Sequence, residues 1–310
     1  MKLRWFVMVF GWMLIANGCF PAELPNDTTQ TTNRTAVSTA SLMITPSQTD
    51  TATPAPTLTI TPTPFLPATA TITTTPTLTP DPNYSIIGPG PILCPILLYH
   101  HVMTVNGSGS QYAVTVDQFT AQMKWMKENG YQTIKVQDMV DAIHDGKMLP
   151  NKSFIITFDD GNVDIYNHAY PILRDLGFTA TMYLIEDSIG DYGNFSIEII
   201  LELAEVGWEF GNHSSTHAYL PSSRNCEDEI CFSRARLIES LNIPIDSFAY
   251  PFGTKHEESI QAVKDCRYTS GAGLGSWTIH TQERLFYFSR REVKGYFDMQ
   301  RFITLVTDIR

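Results

Sequence analysis

The stretch Ser153-Phe154-Ile155-Ile156-Thr157-Phe158-Asp159-Asp160-Gly161 decides how this chain is read. Its first part is apolar or β-branched at nearly every position, the pattern of a strand buried on both faces of a parallel sheet. It then ends in two adjacent carboxylates and a glycine. An Asp-Gly pair by itself marks a turn. Two carboxylates side by side at the end of a buried strand repel each other unless a cation sits with them.

Further along stands His213-Ser214-Ser215-Thr216-His217, again just after a predicted strand. A histidine pair at this spacing is by itself common on protein surfaces. Imidazoles four residues apart can nevertheless converge on one ion if the segment is helical or tightly turned. Ser214 and Ser215 are placed to orient the rings. Together the two segments offer three ligands for a divalent cation and one spare carboxylate, the minimum for a metal-assisted hydrolase.

The flanking sequence alternates strand and helix. Strands are predicted at 92–99, 131–134, 153–158, 179–185, 208–211, 247–250 and 268–271. Helical spacing covers 117–126, 136–143, 165–176, 196–205, 227–241, 257–266 and 299–306, with Ser196 as a cap and Gly177 as a stop. Repeated strand–helix units predict a parallel sheet covered by helices, and about seven of them favour a barrel over an open doubly wound sheet. Barrels carry their functional groups at the C-terminal ends of strands. Asp159, Asp160, His213 and Phe252 all fall there.

The amino-terminal quarter reads differently. Lys2 and Arg4 precede an apolar run from Trp5 to Ala16, then Gly18-Cys19, which predicts an export signal over 1–19. The run is shorter than a full membrane span. From Thr45 to Pro80 there are 15 Thr and 8 Pro in 36 residues, with Asp50 the only charge. Such a stretch cannot bury enough apolar surface to order itself, so 20–82 is expected to be a disordered Thr/Pro-rich stalk. The body, 83–310, holds 28 Asp and Glu against 18 Lys and Arg, which argues against nucleic acid as a partner. Cys94, Cys226, Cys231 and Cys266 lack the spacing of a zinc ribbon. They read as structural, with Cys226 and Cys231 near enough in sequence to pair.

The motifs resemble those of the polysaccharide deacetylase family, carbohydrate esterase family four, over about 93–306. Thr157 to Gly161 matches the family's first motif, His213-Ser214-x-x-His217 its second, and Phe248-Ala249-Tyr250-Pro251-Phe252-Gly253 resembles its third. Leu98-Tyr99-His100, Ala169 to Leu173 and Gly177 to Thr181 also look like the family. Gly18-Cys19 resembles a bacterial lipobox, which implies lipidation of Cys19 and a membrane-tethered body outside the cytoplasm, at the cell surface or in the periplasm.

The resemblance implies a distorted (β/α)7 barrel that removes acetyl groups from an acetylated polysaccharide. It implies Asp160, His213 and His217 as ligands of a divalent metal, zinc in the first place with cobalt or nickel as alternatives. Asp159 is implied as general base. The backbone N–H of Phe252 is expected to donate to the oxyanion. Many relatives carry an arginine in the third motif that holds the catalytic aspartate; here that position is Ala249, and Arg290 is the substitute cation we expect. The family's late histidine acid has no clean counterpart. His280 is the nearest candidate, with His100 and His101 as alternatives, and Trp277 is a candidate for a sugar-binding groove. The branch with Ala-Tyr-Pro in the third motif resembles exported poly-N-acetylglucosamine deacetylases. An O-acetyl esterase of xylan-like polymers and a decayed glycan-binding protein are the competing expectations.

Overall fold

The computed structural model describes residues 81–104, 110–220 and 225–310. The expected export signal, Cys19 and the expected Thr/Pro-rich stalk up to residue 80 lie outside the described residues. No helix among the described residues is long and apolar enough to cross a membrane.

Seven parallel strands close into a ring. They are β1 (Ile96–Tyr99), β2 (Ser153–Phe158), β3 (Thr181–Leu184), β4 (Glu209–Asn212), β5 (Ser247–Ala249), β6 (Ser270–Leu274) and β7 (Phe288–Glu292). Each pairs in parallel with the next, and β7 pairs with β1. Some seams are short. β4 meets β5 through the single pair Asn212↔Phe248, while β1 and β2 run together from Ile96↔Ile155 to Tyr99↔Phe158. The uneven seams distort the barrel.

Helices α1 (Val116–Glu128), α2 (Val136–Asp145), α3 (Tyr170–Leu176), α4 (Ile197–Glu205), α5 (Ser233–Leu241), α6 (Glu257–Asp265) and α7 (Met299–Thr307) complete the repeating units. Their ends follow local chemistry. Thr115 and Gln118 form a capping box on α1, the Ser196 hydroxyl accepts from Ile199 N on α4, and Gly177 closes α3 in the left-handed region. Two helices are preceded by wider π turns, Ile165–Ala169 before α3 and Asp228–Phe232 before α5.

Strand alternation sorts the residues. Phe154, Ile156 and Phe158 of β2 point outward into the large core shared with the helices. Ile155 joins Ile96, Tyr183, Ala249, Ala272 and Phe288 in a second buried cluster that continues into α2. By the same two-residue period Thr157 and Asp159 follow Ile155 on the inner face.

The ring has the expected number of strands but not the expected membership. The predicted strand at 131–134 is only the two-residue Gln132–Thr133, paired alongside the start of β2. The seventh barrel strand is Phe288–Glu292, which Arg290, Arg291 and Glu292 disguise as a polar segment. The predicted strand 92–99 is two strands. Its first part, Ile92–Leu93, pairs antiparallel with Ile279–His280 before the Cys94-Pro95 step starts β1. Cys231 is joined to Cys266, tying the π turn before α5 to the end of α6, and Cys94 is buried and free.

Candidate active site

Inward-facing residues near the strand ends enclose a cavity of about 360 Å³. Its wall includes Leu98 and His100 from the end of β1, Asp159 and Asp160 after β2, His213 and His217 after β4, Leu274 of β6, and Arg290 and Glu292 of β7.

Asp160, His213 and His217 each offer a ligand atom, and these atoms lie within 4.8 Å of one another. His213 Nε2 and His217 Nε2 stand 3.6 and 3.7 Å from Asp160 Oδ1. His213 Nδ1 lies 2.8 Å from the Ala249 carbonyl. That bond requires a proton on Nδ1, so Nε2 keeps its lone pair toward Asp160. Burial lowers the pKa of His217, which favours its neutral ring. Two neutral imidazoles and a carboxylate suit a divalent transition metal and leave coordination positions open.

The spare carboxylate is held from β7, two strands around the ring. Arg290 Nη1 donates to Asp159 Oδ1 at 2.6 Å and Nη2 to Oδ2 at 2.9 Å, and both side chains are buried. Arg290 also donates to the Gly273 carbonyl and lies over the Tyr183 ring. Burial pushes the Asp159 pKa upward, but the charge and hydrogen bonds of Arg290 outweigh it, and the group settles at about 2. The adjacent Arg291 faces outward and donates to the carbonyls of Ser276, Leu305 and Asp308, which fastens α7 to the barrel.

Backbone strain gathers here. Asp160, Ser214, His217 and Phe252 all have φ between 58° and 75°. Non-glycine residues seldom adopt that region unless their surroundings impose it. At Asp160 the twist comes right after the inward-facing Asp159, so two successive carboxylates can serve one site. The ring of Phe252 is exposed at the rim and packs edge-on against His217, 4.5 Å between centroids. A side chain at Gly253 would run into Leu274.

The proton-donor candidates separate. His280 is buried on the strand paired with Ile92–Leu93, its Nε2 3.0 Å from the Cys94 carbonyl, and burial drops its pKa to about 4. It is not on the cavity wall, so its expected role as acid is corrected: its polar atom serves an edge pairing. Trp277 is also off the wall, beneath the Arg284 guanidinium. His100 and His101 both line the cavity. His100 Nδ1 is 3.7 Å from Glu292, and His101 Nδ1 is 3.0 Å from Asp164. Sequence reasoning missed Glu292, Tyr112 and Asp164. Glu292 had a visible signal, an acidic residue two positions after Arg290 and hence on the same strand face.

Comparison with known proteins agrees with this geometry. The polysaccharide deacetylase family profile matches residues 146–271. YxkH of Bacillus subtilis strain 168, described by its likeness to polysaccharide deacetylases, is 31% identical over 183 residues, covering 58% of this chain and 64% of that protein. The poly-beta-1,6-N-acetyl-D-glucosamine N-deacetylase of Staphylococcus aureus is 26% identical over 197 residues, covering 58% of this chain and 67% of its own length. The fold is that of the Streptococcus pyogenes deacetylase PplD, solved in complex with acetate, with a TM-score of 0.65 at 24% identity over 70% of this chain and 99% of that one. Residues 146–271, which hold all three strand-end motifs, match the polysaccharide deacetylase family profile, and the seven-stranded ring has the fold of PplD.

Proposed function

We propose that the domain is a metal-dependent hydrolase that removes N-acetyl groups from an N-acetylglucosamine-containing cell-envelope or exopolysaccharide glycan. The observation that carries this reading is a buried, ionised Asp159 clamped by Arg290 beside the Asp160, His213 and His217 donor set.

A divalent cation held by that set, zinc or its substitutes cobalt and nickel, would polarise the acetyl carbonyl and lower the pKa of water. Asp159 accepts the proton of the attacking water. Its low pKa makes it a weak base, so Arg290 supplies orientation and a fixed charge rather than basicity. The backbone N–H of Phe252, in the tight Pro251–Gly253 turn, donates to the developing oxyanion. An amide's leaving nitrogen must gain a proton before it departs. His100 is placed to give it, on the cavity wall with its Nδ1 3.7 Å from Glu292. Burial lowers its pKa, and the carboxylates of Asp159, Asp160 and Glu292 oppose that shift. Exposed Phe252 and Tyr112 at the rim suit the faces of pyranose rings.

The Staphylococcus aureus relative supports N-acetylglucosamine polymer as substrate. The start of the chain supports an extracytoplasmic body tethered through a lipid on Cys19. The test is acetate release with added zinc or cobalt from partially acetylated poly-β-1,6-glucosamine, chitooligosaccharide and acetyl-xylan. Acetate from the amide polymers, lost in Asp159→Asn, is expected. Release from xylan alone would make it an O-acetyl esterase. Binding without release would make it a glycan-binding module.

A further inference from the structure

The two histidine ligands are joined by a turn that cannot hold itself. Ser214 and His217 sit at φ 69° and 58°, each a conformation that costs a non-glycine residue about 1–2 kcal/mol. Something outside the turn must impose it.

One segment reaches both ends. Glu229, buried in the π turn Asp228–Phe232, accepts from Thr216 twice: the backbone N–H at 2.9 Å and the hydroxyl at 2.7 Å. Thr216 immediately precedes His217. At the other end, Asn212 immediately precedes His213. The Asn212 amide donates to the Ser233 hydroxyl at 2.6 Å and the Tyr268 hydroxyl at 2.7 Å. Those hydroxyls donate in turn to the carbonyls of Glu229 and Ile230, each at 2.8 Å. The residue before each ligand is therefore fastened to the same π turn. The middle of the turn rests on another element, where Glu186 and Asp187 N–H groups donate to the Ser214 and Ser215 carbonyls.

We propose that Glu229 is a positioning residue that sets the spacing of His213 and His217 and thereby the affinity of the site for its cation; this rests on the metal-centre reading above. It touches neither the ligand atoms nor the cavity wall and acts through Thr216. π turns recur at functional sites because they redirect a few side chains and carbonyls without ending the helix. Here one such turn offers the Glu229 and Ile230 carbonyls to the hydroxyl relays and aims the Glu229 carboxylate at the ligand turn. The Cys231–Cys266 disulfide fixes the same turn to α6.

The test titrates zinc or cobalt against a chromophoric chelator for wild type, Glu229→Ala, Glu229→Gln and Thr216→Val, and follows thermal unfolding of each metal-free protein. Removing a partner that orients a ligand is expected to weaken affinity about 10–100-fold, so Glu229→Ala should lose that much. Glu229→Gln should recover most of it, because its amide can accept from Thr216 N and donate to the hydroxyl. Thr216→Val, which keeps the backbone contact, should show a smaller, several-fold loss. A folded Glu229→Ala with wild-type affinity would overturn the inference. Should that variant not fold, wild-type affinity in Thr216→Val would overturn it equally. A wild type that takes up no metal would sink the metal centre and this inference together, which separates the two failures.

Discussion

Arg290 and Asp159 meet inside the barrel from the two strands that flank β1, two parallel hydrogen bonds of 2.6 and 2.9 Å joining a guanidinium to a carboxylate that solvent barely reaches. Arg290 reaches the carboxylate from β7, whereas position 249 on β5 carries alanine. Removing one member of the pair leaves a buried charge alone. Arg290→Ala is expected to lose about 3–5 kcal/mol of stability and nearly all acetate release. Arg290→Lys should recover little, because a single ammonium cannot bind both oxygens. Denaturant unfolding and acetate assays on both variants check this, and an active Arg290→Ala would refute it.

The same pair fixes an acid limb of stability. The Asp159 pKa is lowered from 3.8 to about 2 in the folded protein. A depressed carboxyl pKa contributes stability that is present above the unfolded value and is lost as pH falls through the folded one. The contribution is roughly 2 kcal/mol, disappearing between about pH 4 and pH 2. Unfolding free energies from pH 5 to 2 should show this slope in wild type and a shallower one in Asp159→Asn.

The donor set can be tested without turnover. A ligand bound only by the folded state at a hundred times its dissociation constant adds about 2.7 kcal/mol. Zinc should therefore raise the melting temperature of wild type but not of Asp160→Ala or His213→Ala. Equal shifts in all three proteins would place the metal elsewhere.

The proton donor separates from the ligands by the same logic. His100→Asn should cut turnover by about 10²–10⁴ while leaving the zinc-induced stabilisation intact. His101→Asn and His280→Asn should fall well short of that, since His101 is paired with Asp164 and His280 bonds a carbonyl off the cavity wall. A comparable loss in His280→Asn at unchanged stability would reverse the assignment.

Much of the fold can be read from short-range pattern. Ser153–Phe158 announces itself because every residue is buried, and α2 because Val136, Met139, Val140 and Ile143 share one face. What stays hidden depends on distant partners. Phe288–Glu292 looks too polar for a barrel strand until Arg290 finds Asp159 and Arg291 finds the carbonyls of Ser276, Leu305 and Asp308. The glycines of Ser270–Leu274 weaken any strand prediction, yet Tyr250 packs where a side chain at Gly271 would go and Tyr287 where one at Gly273 would go. At the site, Asp159, Asp160, His213 and His217 are visible through motif spacing. Glu229 is not, because only the π turn aims it at Thr216. His280 misleads because an isolated histidine carries no mark of the edge pairing that uses it.

The order of strands in the chain has a consequence for synthesis. Asp159 and Arg290 are 131 positions apart, and the arginine arrives on the last staves of the barrel. A growing polypeptide that has already laid down the aspartate must keep it wet, or unpaired, until that final stave docks. Sealing the ring and pairing Asp159 with Arg290 are then one event, so a polypeptide cut short before residue 288 would leave both the ring open and the carboxylate without its guanidinium.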